Sequence, residues 1–218
     1  MKWCDGSRAR ADEVADTDMG PRTNIMASDM LILASASPRR AQLLEQIGVK
    51  PFSISTANID ETPLKAEKPS EYAKRMAYKK AQAIAHSHKD KYVLAADTVV
   101  ATGRTILPKA ETQDDVRKSI THLGGRNHRV YGGICLILPD GLIRHRLVET
   151  RVFMRRLSEG ELSAYCASSD WKGKAGGYAI QGNAAQYIKK ISGSYSNVVG
   201  LDLYITAQLL KGAGLSLE

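Results

Sequence analysis

The sequence predicts a mixed α/β (α+β) domain built around a long mixed sheet, and three observations carry that prediction. Apolar runs of strand length alternate with stretches whose apolar residues recur three and four positions apart. The helical stretches open on capping signals at Ser37, Thr112 and Ser158. One hairpin signal, Pro139-Asp140-Gly141, joins two long strands, so part of the sheet is antiparallel.

Taken in order, residues 1–29 are polar, small and charged, without apolar periodicity. They are expected to be a disordered extension or an added segment, with the working domain over residues 30–218. Leu31–Ala34 reads as a buried strand. Ser37 is a good N-cap and Pro38 suits the first helical position. Leu43, Leu44 and Ile47 then form a helical stripe that Gly48 ends. Residues 51–56 read as a strand and 58–70 as turn-rich, with Ser70 expected to cap a long helix reaching about His88. Tyr92–Ala101 is a strong strand. Thr112 with Asp115 forms a capping pair ahead of the stripe Val116, Ile120 and Leu123. Arg129–Leu138 and Leu142–Met154 are long strands, and Ser158 with Glu161 opens a helix through Cys166. A glycine-rich segment (173–182), a strand (Gln186–Ile191), a loop (192–200) and a helix from about Leu201 to Leu210 complete the chain.

With 218 residues, 43% hydrophobic and 25% charged, the chain suits one globular domain whose core needs no covalent staples. Its three cysteines, Cys4, Cys135 and Cys166, lack metal-like spacing; a reduced, cytoplasmic setting without a zinc site is expected. No apolar run approaches the roughly 18 residues of a membrane span, and no secretory h-region opens the chain. The net charge of +8 permits polyanionic partners. The basic residues are dispersed and no nucleic-acid motif occurs, so a small polyphosphate is expected as partner and nucleic acid is not. A G-x-G-x-x-G after the first strand, a Walker pattern and a G-x-S-x-G elbow are all missing from the sequence.

Four places carry chemistry. Arg39 and Arg40 sit in the first turn of the helix that Ser37 caps, where cations oppose the helix dipole at about 0.3–1 kcal/mol each. An anion at that terminus relieves the conflict and gives a phosphate site; the plain alternative is a solvated arginine pair. Asp97 lies inside an apolar strand, where a carboxylate is costly without a cation, a metal or a proton to move. Lys80 falls on the apolar stripe Ala73, Met76, Ala77, Ala81 and Ile84, so it either snorkels or meets an anionic partner. The glycine-rich segment with Lys174 and Gln181 either lets backbone N–H groups approach a ligand or makes plain turns; Glu61 and Lys109 stand in turns and are ordinary alone. Together, Arg39, Lys80 and Lys109 suit phosphate neutralisation, while Glu61 and Asp97 suit a divalent metal and an activated water. Phosphoanhydride hydrolysis uses that set.

These residues fall in motifs that closely resemble the Maf (septum formation inhibitor) family of nucleotide pyrophosphatases: LASASPRR (33–40), NIDET (58–62), RMAYKKA (75–81), AADTVV (95–100), LPKAET (107–112), KAGGYAIQG (174–182) and SGSYSNVVGL (192–201). The resemblance implies an elongated two-lobed fold similar to inosine triphosphate pyrophosphatases. It implies Mg²⁺- or Mn²⁺-dependent cleavage of a nucleoside triphosphate to the monophosphate and pyrophosphate. By motif, Asp97 is the implied proton acceptor and, with Glu61, the implied metal-binding residue. Lys80 and Lys109 complete the catalytic set, and Ser37, Arg39 and Arg40 contact substrate. Arg39, Thr98 and Gln181 match the branch directed at dTTP and UTP. Departures from the family pattern stand at Gly124, Gly132 and Asp202. A homodimer is compatible with the resemblance. A competing reading is a nucleotide- or nucleic-acid-binding regulator of cell division that works without turnover; the complete acid, base and cation set favours the enzyme.

Overall fold

The computed structural model describes residues 25–217. A short strand, β1 (Ile25–Met26), and a one-turn helix, α1 (Ala27–Met30), lead into β2 (Leu31–Ala34), whose four side chains are all buried. Then follow α2 (Pro38–Glu45), β3 (Ser53–Ser55), α3 (Pro69–Ala85), β4 (Tyr92–Thr102), β5 (Thr105–Leu107) and α4 (Gln113–Leu123). The second half contains β6 (Arg126–Ile137), β7 (Ile143–Met154), α5 (Glu159–Ala167), a 3₁₀ turn (Asn183–Tyr187), β8 (Ile188–Ser192), α6 (Tyr195–Val199), α7 (Leu203–Gly212) and β9 (Leu215–Ser216).

The mixed sheet runs in the order β3-β2-β4-β6-β7-β8, with β5 paired to β4. β2 is parallel to both β3 and β4, and the other pairings are antiparallel. The chain leaves β2 for β3 on one side and returns to β4 on the other. Helix α2 packs Leu43 and Leu44 with Leu31, Leu33 and Leu94 on one face. Helix α3 packs Ala77 and Ala81 with Ile32, Ala34, Val93 and Ala95 on the opposite face. Strand order and helix side therefore both reverse around β2, the arrangement that opens a ligand crevice at carboxyl strand ends.

The lengths of the strands enlarge that crevice. β2 pairs with β4 only over Tyr92–Leu94, and β5 pairs with the same edge only from Val100. Between them, Ala95–Val99 have a strand neighbour on the β6 side alone. Close packing of α3 against β6 needs Gly133, where a Cβ would lie 2.2 Å from the carbonyl oxygen of Ala73.

The capping pairs at Thr112–Asp115 and Ser158–Glu161 both form reciprocal boxes, and the hairpin turns through Gly141 at a φ of 83°. Several boundaries move. The ordered fold begins before Met30: Ile25 pairs with Leu215, Met26 with Ser216, and Ala27 is buried. The tie joins segments far apart in sequence, so local composition could not reveal it; the rest of the expected extension, residues 1–24, lies outside the described residues. Helix α3 starts at Pro69, with Lys68 rather than Ser70 in the cap position, because proline at N1 sets the first turn. The expected final helix divides at Gly200, whose φ of 147° no helix accommodates, and Asp202 caps the second part by accepting from the Ile205 N–H at 2.7 Å. The expected strand at 186–191 opens as the 3₁₀ turn, and β5 and β9 are too short for periodicity to mark.

Loss of the β1–β9 pairing and of Ala27 burial is worth about 1–2 kcal/mol. A chain beginning at Met30 should therefore melt about 2–8 °C below one beginning at Asn24, a difference that thermal denaturation followed by circular dichroism measures.

Candidate active site

The opening along β4 is the floor of a cleft of about 370 Å³. The exit of β2, the start of α2, the loop carrying Glu61, the turn at Lys109, the glycine-rich segment and the end of α6 wall it. Ser37, Arg39, Arg40, Glu61, Lys80, Asp97, Thr98, Lys109 and Gln181 all line this one cleft.

Strand alternation decides where Asp97 points. Val93 and Ala95 face α3, and Asp97 follows on that face, beyond the end of β2. Helix periodicity decides where Lys80 points: Ala73, Met76 and Ala77 are fully buried, and Lys80 continues their stripe to the edge of the sheet. The two meet, with Lys80 Nζ 2.6 Å from Asp97 Oδ1 and 2.9 Å from Glu61 Oε1. One ammonium thus joins two carboxylates. Glu61 is held in place through its backbone, whose carbonyl accepts from the Tyr72 hydroxyl at 2.6 Å. Arg75 donates to the Thr62 carbonyl at 3.1 Å and pairs with Glu67 at 2.6 Å, fastening the same loop to α3. Burial pushes the Glu61 carboxyl up, but the hydrogen bond and charge of Lys80, with Lys109 and Arg40 behind them, hold it below 4.5. Burial and the negative charges of Asp97 and Glu61 push the Tyr72 hydroxyl up to about 12.

The arginine pair divides its work. Arg40 is half-buried, and its three donor groups are engaged by the protein: Nε to the Gly200 carbonyl (2.9 Å), Nη1 to Ser35 Oγ (2.8 Å) and Nη2 to Thr98 Oγ1 (3.2 Å). Thr98 in turn donates to the same Gly200 carbonyl at 3.3 Å. Burial lowers the Arg40 pKa, opposed by Asp97 and Glu61. Arg40 ties the exit of β2, β4 and the end of α6 together. The Arg39 side chain makes no hydrogen bond or ion pair among the described residues, and burial lowers its pKa. Ser37 stands at the cap without a side-chain capping bond; its N–H goes to Ser35 Oγ at 3.2 Å.

The cationic wall continues on the glycine-rich segment. Burial lowers the Lys174 pKa, and the nearby charge of Arg39 lowers it further. Lys109 bridges to Ala175, and the Gly176 N–H donates to the Pro108 carbonyl at 3.0 Å, which ties the two segments together. Lys109 Nζ lies 3.8 Å from Glu61 Oε2. Buried Tyr178 anchors the segment from behind, its hydroxyl 2.7 Å from His128 Nε2. Ser35 and Gly200 are site residues that sequence reasoning missed, since their parts are played through Arg40. Lys174 and Arg39, two neighbouring cations near the carboxylate pair, mark where an anion would sit.

Among the described residues no three histidine, cysteine or acidic side chains gather to hold a metal. Glu61 and Asp97 are hard oxygen donors meeting around one cation, which suits an ion that takes its remaining ligands from phosphate and water. No helix of the described residues is long and apolar enough to cross a membrane.

The family described as Maf-like protein has a model that matches residues 30–213. A protein of Paramagnetospirillum magneticum named dTTP/UTP pyrophosphatase is 58% identical over 187 residues, 86% of this chain and 98% of that one. A protein of the same name from Mesorhizobium japonicum is 55% identical over 194 residues, 86% of this chain and 93% of its own length. Among solved structures, the Ham1 protein of Staphylococcus aureus overlays at a TM-score of 0.42 and 16% identity, covering 57% of this chain and 71% of that one.

Two outcomes are expected of the site itself. Arg40→Lys leaves one ammonium to serve acceptors in three directions and loses on the order of 3 kcal/mol of charge-assisted hydrogen bonding. Its melting temperature should fall by roughly 5–10 °C, whereas Arg39→Lys should stay within about 2 °C of the parent. The Glu61 shift also sets a pH dependence. Its folded pKa lies below the unfolded one, so the stabilisation is complete above about pH 5 and is lost as pH falls through the folded value. Urea unfolding at pH 7 and pH 3 should therefore show a smaller acid-induced loss in Glu61→Gln than in the parent.

Proposed function

The chain belongs to the Maf-like protein family, and from that premise we propose that it is a nucleoside triphosphate pyrophosphatase hydrolysing dTTP and UTP to the monophosphate and pyrophosphate. The observation that carries this reading is the meeting of Asp97 and Glu61 on Lys80, opposite the cations Arg39, Lys174 and Lys109, in one cleft. Identity of 58% to a protein named dTTP/UTP pyrophosphatase supports the choice of nucleotides.

In this reading the triphosphate lies along the cationic wall. Asp97 accepts the proton of a water whose oxygen attacks the α-phosphorus. A new P–O bond forms, the α–β anhydride bond breaks, and pyrophosphate leaves with its charge balanced by Arg39, Lys109 and Lys174. Lys80 keeps the Asp97 carboxylate oriented by its 2.6 Å hydrogen bond. Arg40 fixes Thr98, and Gln181, which lines the same cleft, would meet the base. Mg²⁺ or Mn²⁺ would be held by Glu61 and Asp97 and would supply charge neutralisation on the phosphates. We place the enzyme in the cytoplasm, where its substrates are made.

The test is pyrophosphate release from dTTP and UTP by the parent chain and by Asp97→Asn, with the melting temperature of each. The substitution preserves shape and removes the proton acceptor, so kcat should fall by about 10²–10⁴-fold while the melting temperature changes little. Orthophosphate as first product, or near-parental turnover by Asp97→Asn, would overturn the proposal.

A further inference from the structure

The outer face of the sheet carries a second feature, remote from the cleft. In the β6–β7–β8 register, Asn127, Phe153 and Lys190 stand in one row and Arg129, Arg151 and Ser192 in the next. The alternate residues Val130, Val152 and Met154 enter the main core, so these six side chains share the face turned away from it. Asn127 and Lys190 are exposed, the Arg151 side chain is 61% exposed and the Phe153 ring is half-buried. Asn127, Arg151, Phe153, Lys189, Lys190 and Ser192 line an open groove of about 540 Å³ containing three cations and no carboxylate. Glu149, on the same strand as Arg151, is shared by Arg129 at 2.9 Å and Arg151 at 3.3 Å. Gly133 marks the level of Asp97 on β6, and Asn127 lies six residues further along, roughly 20 Å at strand rise.

Lysines on β8 would protect an edge strand from pairing with another chain. That need does not account for Phe153 and Arg151, which stand on the inner strand β7. A second copy of this chain would bring the same cations face to face, so self-association is disfavoured. A free phosphate would use the cations and leave the ring unused. Cations beside an aromatic ring on an open sheet face match a strand of nucleotides, with phosphates on the cations and a base on the ring.

We propose that this face binds single-stranded nucleic acid without sequence preference: Arg151, Lys189 and Lys190 hold consecutive phosphates, Phe153 stacks one base, and Asn127 and Ser192 offer hydrogen bonds to it. This surface is separate from the triphosphate cleft and does not depend on turnover there.

Fluorescence anisotropy of the full chain with a labelled twelve-residue oligothymidylate tests it. Binding should be measurable at 50 mM salt, and log affinity should fall against log salt with a slope of about −2 to −3, as three or four phosphate contacts on a single strand require. The double substitution Lys189→Glu with Lys190→Glu should weaken binding more than tenfold. Phe153→Leu should weaken the oligonucleotide at least about fivefold and leave heparin binding unchanged, because only the base uses the ring. Excess dTTP should not compete, and both variants should keep the parental melting temperature. No binding at 50 mM salt, polyglutamate bound as tightly as the oligonucleotide, displacement by dTTP, or indifference to Phe153→Leu in a folded variant would each overturn the proposal.

Discussion

The ammonium of Lys80 is the contact on which the site depends. Glu61 comes from a loop and Asp97 from the middle of a strand, and two carboxylates brought this close repel unless a cation lies between them. Lys80 stands 2.6 Å from one and 2.9 Å from the other. It can do so because the stripe that buries Ala73, Met76 and Ala77 directs the side chain one turn later over the end of β2. The helix is fixed in turn by Gly133, whose missing Cβ lets the Ala73 carbonyl approach β6. Backbone packing, helix phase and acid–base chemistry are thus linked in one chain of contacts.

The sheet supplies the space that this contact organises. β2 stops at Ala34 while β4 continues to Thr102, and β5 rejoins the free edge only at Val100. Asp97 and Thr98 sit in the stretch between and project to opposite faces. Asp97 meets Lys80 on the α3 side, and Thr98 meets Arg40 on the α2 side. Withdrawing part of a guanidinium from water is costly, and half-buried Arg40 offsets that with three hydrogen bonds to three separate segments. The neighbouring Arg39, with no such partners among the described residues, remains available to a ligand.

Much of this was legible in the residues, for reasons that differ from place to place. The capping boxes at Thr112 and Ser158 and the turn at Asp140-Gly141 are local, and local chemistry determines them. Asp97 and Lys80 were conspicuous because charge interrupted an apolar pattern of known period. Glu61 and Lys109 were not, since an acid or a lysine in a turn is ordinary until its neighbours are known; they gained meaning only as members of a set with Arg39, Lys80 and Asp97, which the resemblance then fixed. The different fates of Arg39 and Arg40 could not be read, because they depend on Gly200, 160 residues further along. Nor could the basic face of β6, β7 and β8, whose cations are scattered along the chain and become neighbours only through strand register. The tie between Ile25 and Leu215 belongs to the same class of long-range contact.

The charge distribution within the cleft explains why it must receive an anion. Five cations, Arg39, Arg40, Lys80, Lys109 and Lys174, face two carboxylates, and the carboxylates are already committed to Lys80 and Lys109. Burial lowers the proton affinity of both Arg39 and Lys174, and the charge of Arg39 lowers that of Lys174 further. A site of this kind is strained while empty of negative charge, and a bound anion relieves the repulsion. The relief is greatest for a ligand long enough to reach from Arg39 and Lys174 to the carboxylate pair at Lys80, since only such a ligand brings a phosphorus atom beside Asp97 while its other charges lie on the wall. A polyphosphate chain has that length and charge, whereas a monophosphate can satisfy one end of the cleft and leaves the other unanswered. Electrostatics thereby favours binding of the triphosphate over binding of its monophosphate product.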